Sequence, residues 1–537
     1  MALLLATVCS APCAEISGRV VNSVTGAPVA RVSLTLSPAR VGSDVSNAFT
    51  STAPDGTFSF VELKAGVYVL RGDRNGFLSI AYGANSPQTN GAPLYVEEGQ
   101  SLNIVFRLIP QSVLAVKVFD EHGEPLNGAS VQVLRRLFVA GRRRTVPVAS
   151  GRTNDLGDYR APNLSAGTYY AAATPPPSSR PVAERVQGQA GDSAPGPTYF
   201  PAATDFSNAT AIKLGAGQET AASVTIARSF TYRIHGDLPE SLADPEIAAA
   251  LVLSPRDAAP VAGSGTNPAG RIAKDGSFEM TGVLPGSYVL GLMGARDGGR
   301  ARVLARTDVT VLDRDVEGLV LTPVTSVLLK GRVRIEDEEK ANFKGLRIDI
   351  APLDNLPGAS EITSVAVAPD GTFAIEDLTQ SRYQLRPRAI AGAYLKQVRW
   401  GDEDASGKAI DLLNIATPPA LEFVFSRKPV RLEVIVDRPL EKDAGTVLIV
   451  PDPYRPTELP FPLRGEVVLV PDQGGLAVAD DLPPGSYRVY AFEHFDPNEA
   501  LDPALLESQQ ARSERMSLSA GQAGRVAVKP IAAQELN

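Results

Sequence analysis

The chain has 537 residues and a formal charge of −8, enough for three to five domains at ~100–200 residues each. Its 44% hydrophobic and 21% charged residues exclude a disordered chain, and 47 Gly with 43 Pro mark it as turn-rich, well above the average usage of about 12%. The acidic balance excludes a nucleic-acid binder driven by phosphate contacts, and three His with two Cys leave little for a metal or triad site, so no cofactor, metal or catalytic residue is expected.

In chain order, residues 1–14 (MALLLATVCSAPCA) come first. A short apolar run followed by small residues reads as a signal-peptide-like segment, although no Lys or Arg precedes it, as if the start lay upstream of Met1. Both cysteines, Cys9 and Cys13, fall inside it, in poor contexts for lipid attachment. No later apolar run approaches the ~18–20 residues that span a bilayer, so no transmembrane segment is expected in the mature chain.

A motif then recurs five times: Asp-Gly or a variant of it, alternating apolar residues, a leucine, a second turn and a tyrosine. Its copies run from Gly56 to Tyr68, Gly157 to Tyr169, Gly276 to Tyr288, Gly371 to Tyr383 and Gly475 to Tyr487, each 12 residues apart. The glycines recur at intervals of 101, 119, 95 and 104 residues, the size of a whole domain rather than of a solenoid repeat. Asp-Gly supplies the positive φ of tight hairpin turns. Phe58/Phe60, Phe278/Met280 and Phe373/Ile375 show the two-residue period of half-buried strands. A tyrosine just past a turn can bury its ring and return its hydroxyl to nearby backbone, which makes these five tyrosines structural rather than catalytic.

Further strands flank every copy, such as Ile16–Val21, Arg31–Leu36 and Leu102–Leu108 around the first. About seven short strands per ~100 residues give an all-β chain: a tandem array of about five antiparallel seven-stranded β-sandwiches with short linkers. The expected domains are 15–109, 110–228, 229–324, 325–426 and 427–537. Linkers of a few residues predict an elongated, semi-rigid rod.

The opening Ile16-Ser17-Gly18-Arg19-Val20-Val21, with Thr25-Gly26-Ala27-Pro28-Val29, Pro54-Asp55-Gly56-Thr57-Phe58 and Gly66-Val67-Tyr68, resembles the carboxypeptidase regulatory-like domain. That resemblance implies a prealbumin-like (transthyretin-like) sandwich related to Cna B-type and starch-binding-like folds. The second domain is similar through Asp120–Leu126 and Thr153–Arg160, and the later copies are looser. The whole chain resembles large secreted bacterial proteins that string such modules together. What is implied is the accessory module and not the peptidase, whose zinc motif needs His-x-x-Glu; none of His122, His235 or His494 has it.

Four departures punctuate the pattern. Arg135, Arg136, Arg142, Arg143 and Arg144 read as a solvated hairpin whose charges block edge pairing. The Pro-rich stretch 174–197 reads as a long mobile loop or lid within the second domain. Asp402, Asp404, Ser406 and Gly407 partly fit a calcium loop, but Leu413 stands where the closing acid belongs. Asn498–Arg515 is expected to form a helix starting near Asp502-Pro503 and packing on the last sandwich. No nucleophile elbow or phosphate loop is present.

These readings point to a non-enzymatic, extracytoplasmic protein (periplasmic, outer-membrane-associated or secreted) with a structural, adhesive or interaction role, its partner a protein or polysaccharide at the cell envelope. One alternative is carbohydrate binding through a starch-binding-like sandwich, with Tyr82, Tyr95, Tyr199, Tyr394 and Trp400 as ligand-contact candidates. Another is an accessory role in envelope transport or secretion.

Overall fold

The computed structural model describes residues 14–39, 46–84, 86–87, 91–139, 142–176, 184–185, 192–242, 249–256, 269–295, 301–336, 338, 340–353, 364–437, 445–456, 466–472, 474–493 and 501–532. The leader-like residues 1–13, with Cys9 and Cys13, and His494 lie outside them. Ala14 already opens a strand and is buried in the first core.

The first repeat shows the plan. Its opening strand, Ala14–Asn22, lies between Thr57–Leu63, which is antiparallel to it, and Ser101–Leu108, which is parallel. A second sheet faces it, built on Ser33–Pro38 paired antiparallel with Gly66–Asp73 and edged by Ala48–Ser51, Ile80–Ala81 and Leu94–Val96. The two-residue alternation sends Ile16, Phe58, Phe60, Tyr68, Leu70 and Phe106 into one shared interior. Each large apolar side chain buried there contributes roughly 1.5–3 kcal/mol.

The plan repeats with opening strands Ser112–Phe119, Arg228–Asp237, Ser326–Ile335 and Val430–Val436. Five main cores follow, drawing on buried residues 14–108, 114–226, 232–321, 327–425 and 430–528. The chain is therefore an all-β tandem series of about five sandwich units.

One detail refines the antiparallel expectation: the facing sheets are built on antiparallel pairs, while the sheet that holds each opening strand is mixed. In every unit the closing strand runs parallel to the opening one, as Glu219–Thr225, Val316–Val320, Leu421–Ser426 and Ala523–Val528 do after the first. The closing strand returns from the opposite sheet, and such a crossover delivers it at the same end as the opening strand. The motif turn also differs from a hairpin in four units. In the first, it leads from Ala48–Ser51 in one sheet to Thr57–Leu63 in the other. Only the third unit makes a true hairpin there, Ala269–Ile272 with Ser277–Val283.

A second positive-φ position recurs six residues after each motif glycine: Glu62 (58°), Asn163 (60°), Gly282 (77°), Asp377 (54°) and Asp481 (62°). At each, three residues of the motif strand span two of the opening strand, as between Ile16↔Phe60 and Ala14↔Leu63. This is a β-bulge, which adds twist and turns the strand end toward the following corner.

Three further findings revise the sequence reading. Within the Pro-rich stretch, Asp192–Pro195 pairs antiparallel with Arg228–Thr231 of the third unit's opening strand, so this part is a strand shared between units rather than a lid. Arg233 reinforces it with an ion pair to Asp192 at 3.2 Å. The C-terminal helix is short, Pro503–Ser508, capped by the Asp502 side chain. Beyond a brief turn, Glu514–Leu518 leaves helical geometry to pair with Gly485–Val489. The helix buries Leu506 against Leu448, Val450, Tyr490 and Phe492 on the fifth unit's outer face. Lastly, the array is not a straight rod. Arg143 of the second unit reaches Asp502 of the fifth, and Gly83 of the first lies against Val470 of the fifth.

Candidate functional site

The most repeated chemistry in the chain is directed at its own backbone. Each corner tyrosine donates its hydroxyl to the carbonyl four residues earlier: Tyr68 to Lys64 (2.7 Å), Tyr169 to Ser165 (2.7 Å), Tyr288 to Leu284 (2.8 Å), Tyr383 to Thr379 (2.9 Å) and Tyr487 to Pro483. Burial pushes the Tyr288 and Tyr487 phenols up to about 12. A phenol so placed holds its proton and makes a poor acid or base at neutral pH.

The motif turn is tied down similarly. Gly56, Gly157, Gly276, Gly371 and Gly475 have φ between 75° and 88°. Their carbonyls accept from Val20, Val118, Leu238, Val333 and Val436 at the end of each opening strand. The Asp55, Asp275 and Asp370 carboxylates accept from both the hydroxyl and the backbone N–H two residues on, at Thr57, Ser277 and Thr372. Those bonds hold all three below the usual carboxylate range. The two copies without a clean Asp-Gly use a residue three before the glycine instead. Asn154 accepts from Leu156 and Asp158, and Asp472 accepts from Gly474 and Leu476.

The ligand-contact candidates fall in three different units. Tyr82 packs edge-on against Phe106 (5.9 Å, 82°), and Tyr95 on Leu94–Val96 is exposed. Tyr199 meets Phe206 edge-on (5.5 Å, 75°). Tyr394 and Trp400 stand at opposite ends of the strand Tyr394–Trp400, about 20 Å apart at the usual rise, and Trp400 packs half-buried against the fourth core. The structure does not gather them into one platform.

A cleft of about 400 Å³ opens in the third unit, lined among others by His235, Asp237, Arg271, Ser277, Glu279 and Glu317. The Glu279 carboxylate lies 3.3 Å from Arg233 and 3.7 Å from His235. The Ser277 hydroxyl donates to Asp275, so its proton is directed to the turn rather than to the imidazole. Among the described residues, no group of three or more His, Cys, Asp or Glu is placed to hold a metal ion. In the calcium-like loop, Asp404 accepts from the Ser406 N–H and the Ser406 hydroxyl accepts from Val398 N–H, closing a turn.

The arginine hairpin, Ser130–Val139 with Arg142–Arg152, is less solvated than its composition suggests. Arg135 is buried and lies over the Tyr169 ring at 5.3 Å, a cation–π contact on the corner itself. The alternation of Val131, Val133 and Arg135 placed it on the inward face. The bulge residues had a weaker signal: Glu, Asn, Gly or Asp at a constant offset of six.

Comparison with known proteins adds one assignment. Residues 15–108 match the model of the carboxypeptidase regulatory-like domain. No curated protein matches the chain. Among solved structures, the chain is similar to the minor pilin of Streptococcus agalactiae (11% identity, 40% of this chain and 94% of that one, TM-score 0.20). It is also similar to the shaft pilin SpaA of Lactobacillus rhamnosus GG (12%, 41% and 98%, 0.20) and to the TIE protein of Bacillus anthracis (10%, 73% and 68%, 0.16).

Proposed function

We propose that the chain is a non-catalytic scaffold and interaction protein that works outside the cytoplasm, where its sandwich units present surfaces to protein partners at the cell envelope. One observation supports it above the others: in all five units the most repeated polar groups, the corner tyrosine and the turn carboxylate or amide, bond the chain's own backbone. Such groups build rigidity and are committed to the fold rather than to a reaction. The match of residues 15–108 to a regulatory-like domain supports the same reading. On this reading all five units are regulatory-like domains, bounded at 15–109, 110–228, 229–324, 325–426 and 427–537. No helix among the described residues is long and apolar enough to cross a membrane.

The test is fractionation of cells expressing the tagged full chain, followed by a pull-down from envelope extracts. Recovery in the envelope or medium with a reproducible partner is expected. Confinement to the cytoplasm overturns the proposal.

A further inference from the structure

The contact between the second and fifth units joins residues 359 positions apart. Arg143 donates from Nε at 2.9 Å and from Nη2 at 2.5 Å to the same Asp502 oxygen, Oδ2. Exposed ion pairs are weak as a class, but this one has three advantages. The Asp502 side chain is only 18% exposed, so solvent screens it less than a surface carboxylate. Its other oxygen, Oδ1, accepts from Ala504 N–H as the cap of the C-terminal helix, so its rotamer is already set before Arg143 arrives. The guanidinium places two N–H donors on that one oxygen while the other oxygen caps the helix, a convergence its planar donor set allows.

A second contact joins the first and fifth units. Gly83 of the first unit sits so close to Val470 of the fifth that a Cβ on it would stand 3.2 Å from the Val470 Cγ1. Between these ends, the connections are short. Leu108 is followed at Ser112 by the next opening strand, and Ser426 is followed at Val430 by another. The second and third units are joined further by the shared strand Asp192–Pro195. Short tethers keep Arg143 and Asp502 at high effective concentration, so a modest contact suffices to shift the balance.

We propose that Arg143–Asp502 is a charge latch: it holds the five-unit chain closed on itself at low ionic strength, and the chain opens when salt screens the pair. The arginine hairpin of the second unit is thus an internal docking element for the fifth.

Small-angle scattering of the full chain tests this. For units of ~13 Å radius of gyration, a closed ring of five has a radius of gyration of about 30 Å and a straight row about 50 Å. The wild type in about 0.05 M salt is expected near the closed value, and in about 1 M salt, where the screening length falls to ~3 Å, it is expected to expand. Arg143→Glu reverses one charge. Asp502→Asn removes the other while keeping an amide that still caps the helix. Each is expected to expand the chain at low salt by roughly a fifth or more on the same scale, with circular dichroism and Trp400 emission unchanged to show intact units. An extended wild type at low salt overturns the proposal, as do folded variants whose scattering superimposes on the wild type.

Discussion

Gly371→Ala in the fourth unit is the most revealing substitution. Gly371 has φ of 88°, and a Cβ there would lie 2.2 Å from the Val333 carbonyl oxygen. The left-handed conformation alone costs a non-glycine residue roughly 1 kcal/mol or more. The overlap forces the turn away from the opening strand and breaks the bond from Val333 N–H to the Gly371 carbonyl, 2.7 Å long. Val333 is fully buried, so its stranded N–H costs about 1–3 kcal/mol. Together these destabilise the unit by about 3 kcal/mol, which for a domain of ~100 residues lowers its midpoint by roughly 12–20 °C. The assay is thermal unfolding of the full chain followed by tryptophan emission. Trp400 is the only tryptophan and packs against the fourth core, so its signal reports that unit. The matching change in the first unit, Gly56→Ala, brings a Cβ to 2.6 Å from the Val20 carbonyl and is expected to leave the Trp400 midpoint in place. An unmoved midpoint in Gly371→Ala, or an equal shift in both variants, refutes the reasoning.

Tyr288→Phe removes the hydroxyl bond to Leu284 and should cost about 1 kcal/mol at neutral pH. Because burial lifts the Tyr288 phenol from 10 to about 12, its contribution is complete below pH 10 and is lost as the pH rises through 12; the phenylalanine variant should lose that alkaline component in denaturant titrations. Burial also lifts the Glu466 carboxyl of the fifth unit to about 7. Its contribution is present below about pH 4.5 and disappears as the pH rises through 7, so Glu466→Gln should raise the melting temperature at pH 8 and leave it unchanged at pH 4. The strand Asp192–Pro195 couples the second and third units, which are expected to share one calorimetric transition. Ala194→Pro removes a backbone donor and strains the ladder, and should split that transition in two; a single transition in the variant contradicts the coupling.

The array was legible because its signals are local. Period-two alternation around Phe58 and Phe60, and the fixed interval from Gly56 to Tyr68, reflect backbone requirements within one turn and two strands. The parallel closing strand was not legible, since a strand such as Ser101–Leu108 reads the same whichever way its neighbour runs, and only the crossover decides. Asp192–Pro195 lay hidden in a Pro-rich stretch, because its partner at Arg228–Thr231 belongs to another unit. The latch escaped for the same reason: nothing near Arg143 in sequence announces Asp502. The helix was overextended because Glu514–Leu518 is claimed by the strand Gly485–Phe492, a tertiary preference that outweighs local helix propensity.

The central claim is that each repeat is a sandwich with its own interior. Expressing residues 325–426 alone tests it most directly, with Trp400 as an internal probe. Cooperative unfolding, with tryptophan emission shifted to the blue as in the whole chain, is the result the account predicts. A soluble fragment with red-shifted emission and no transition contradicts it.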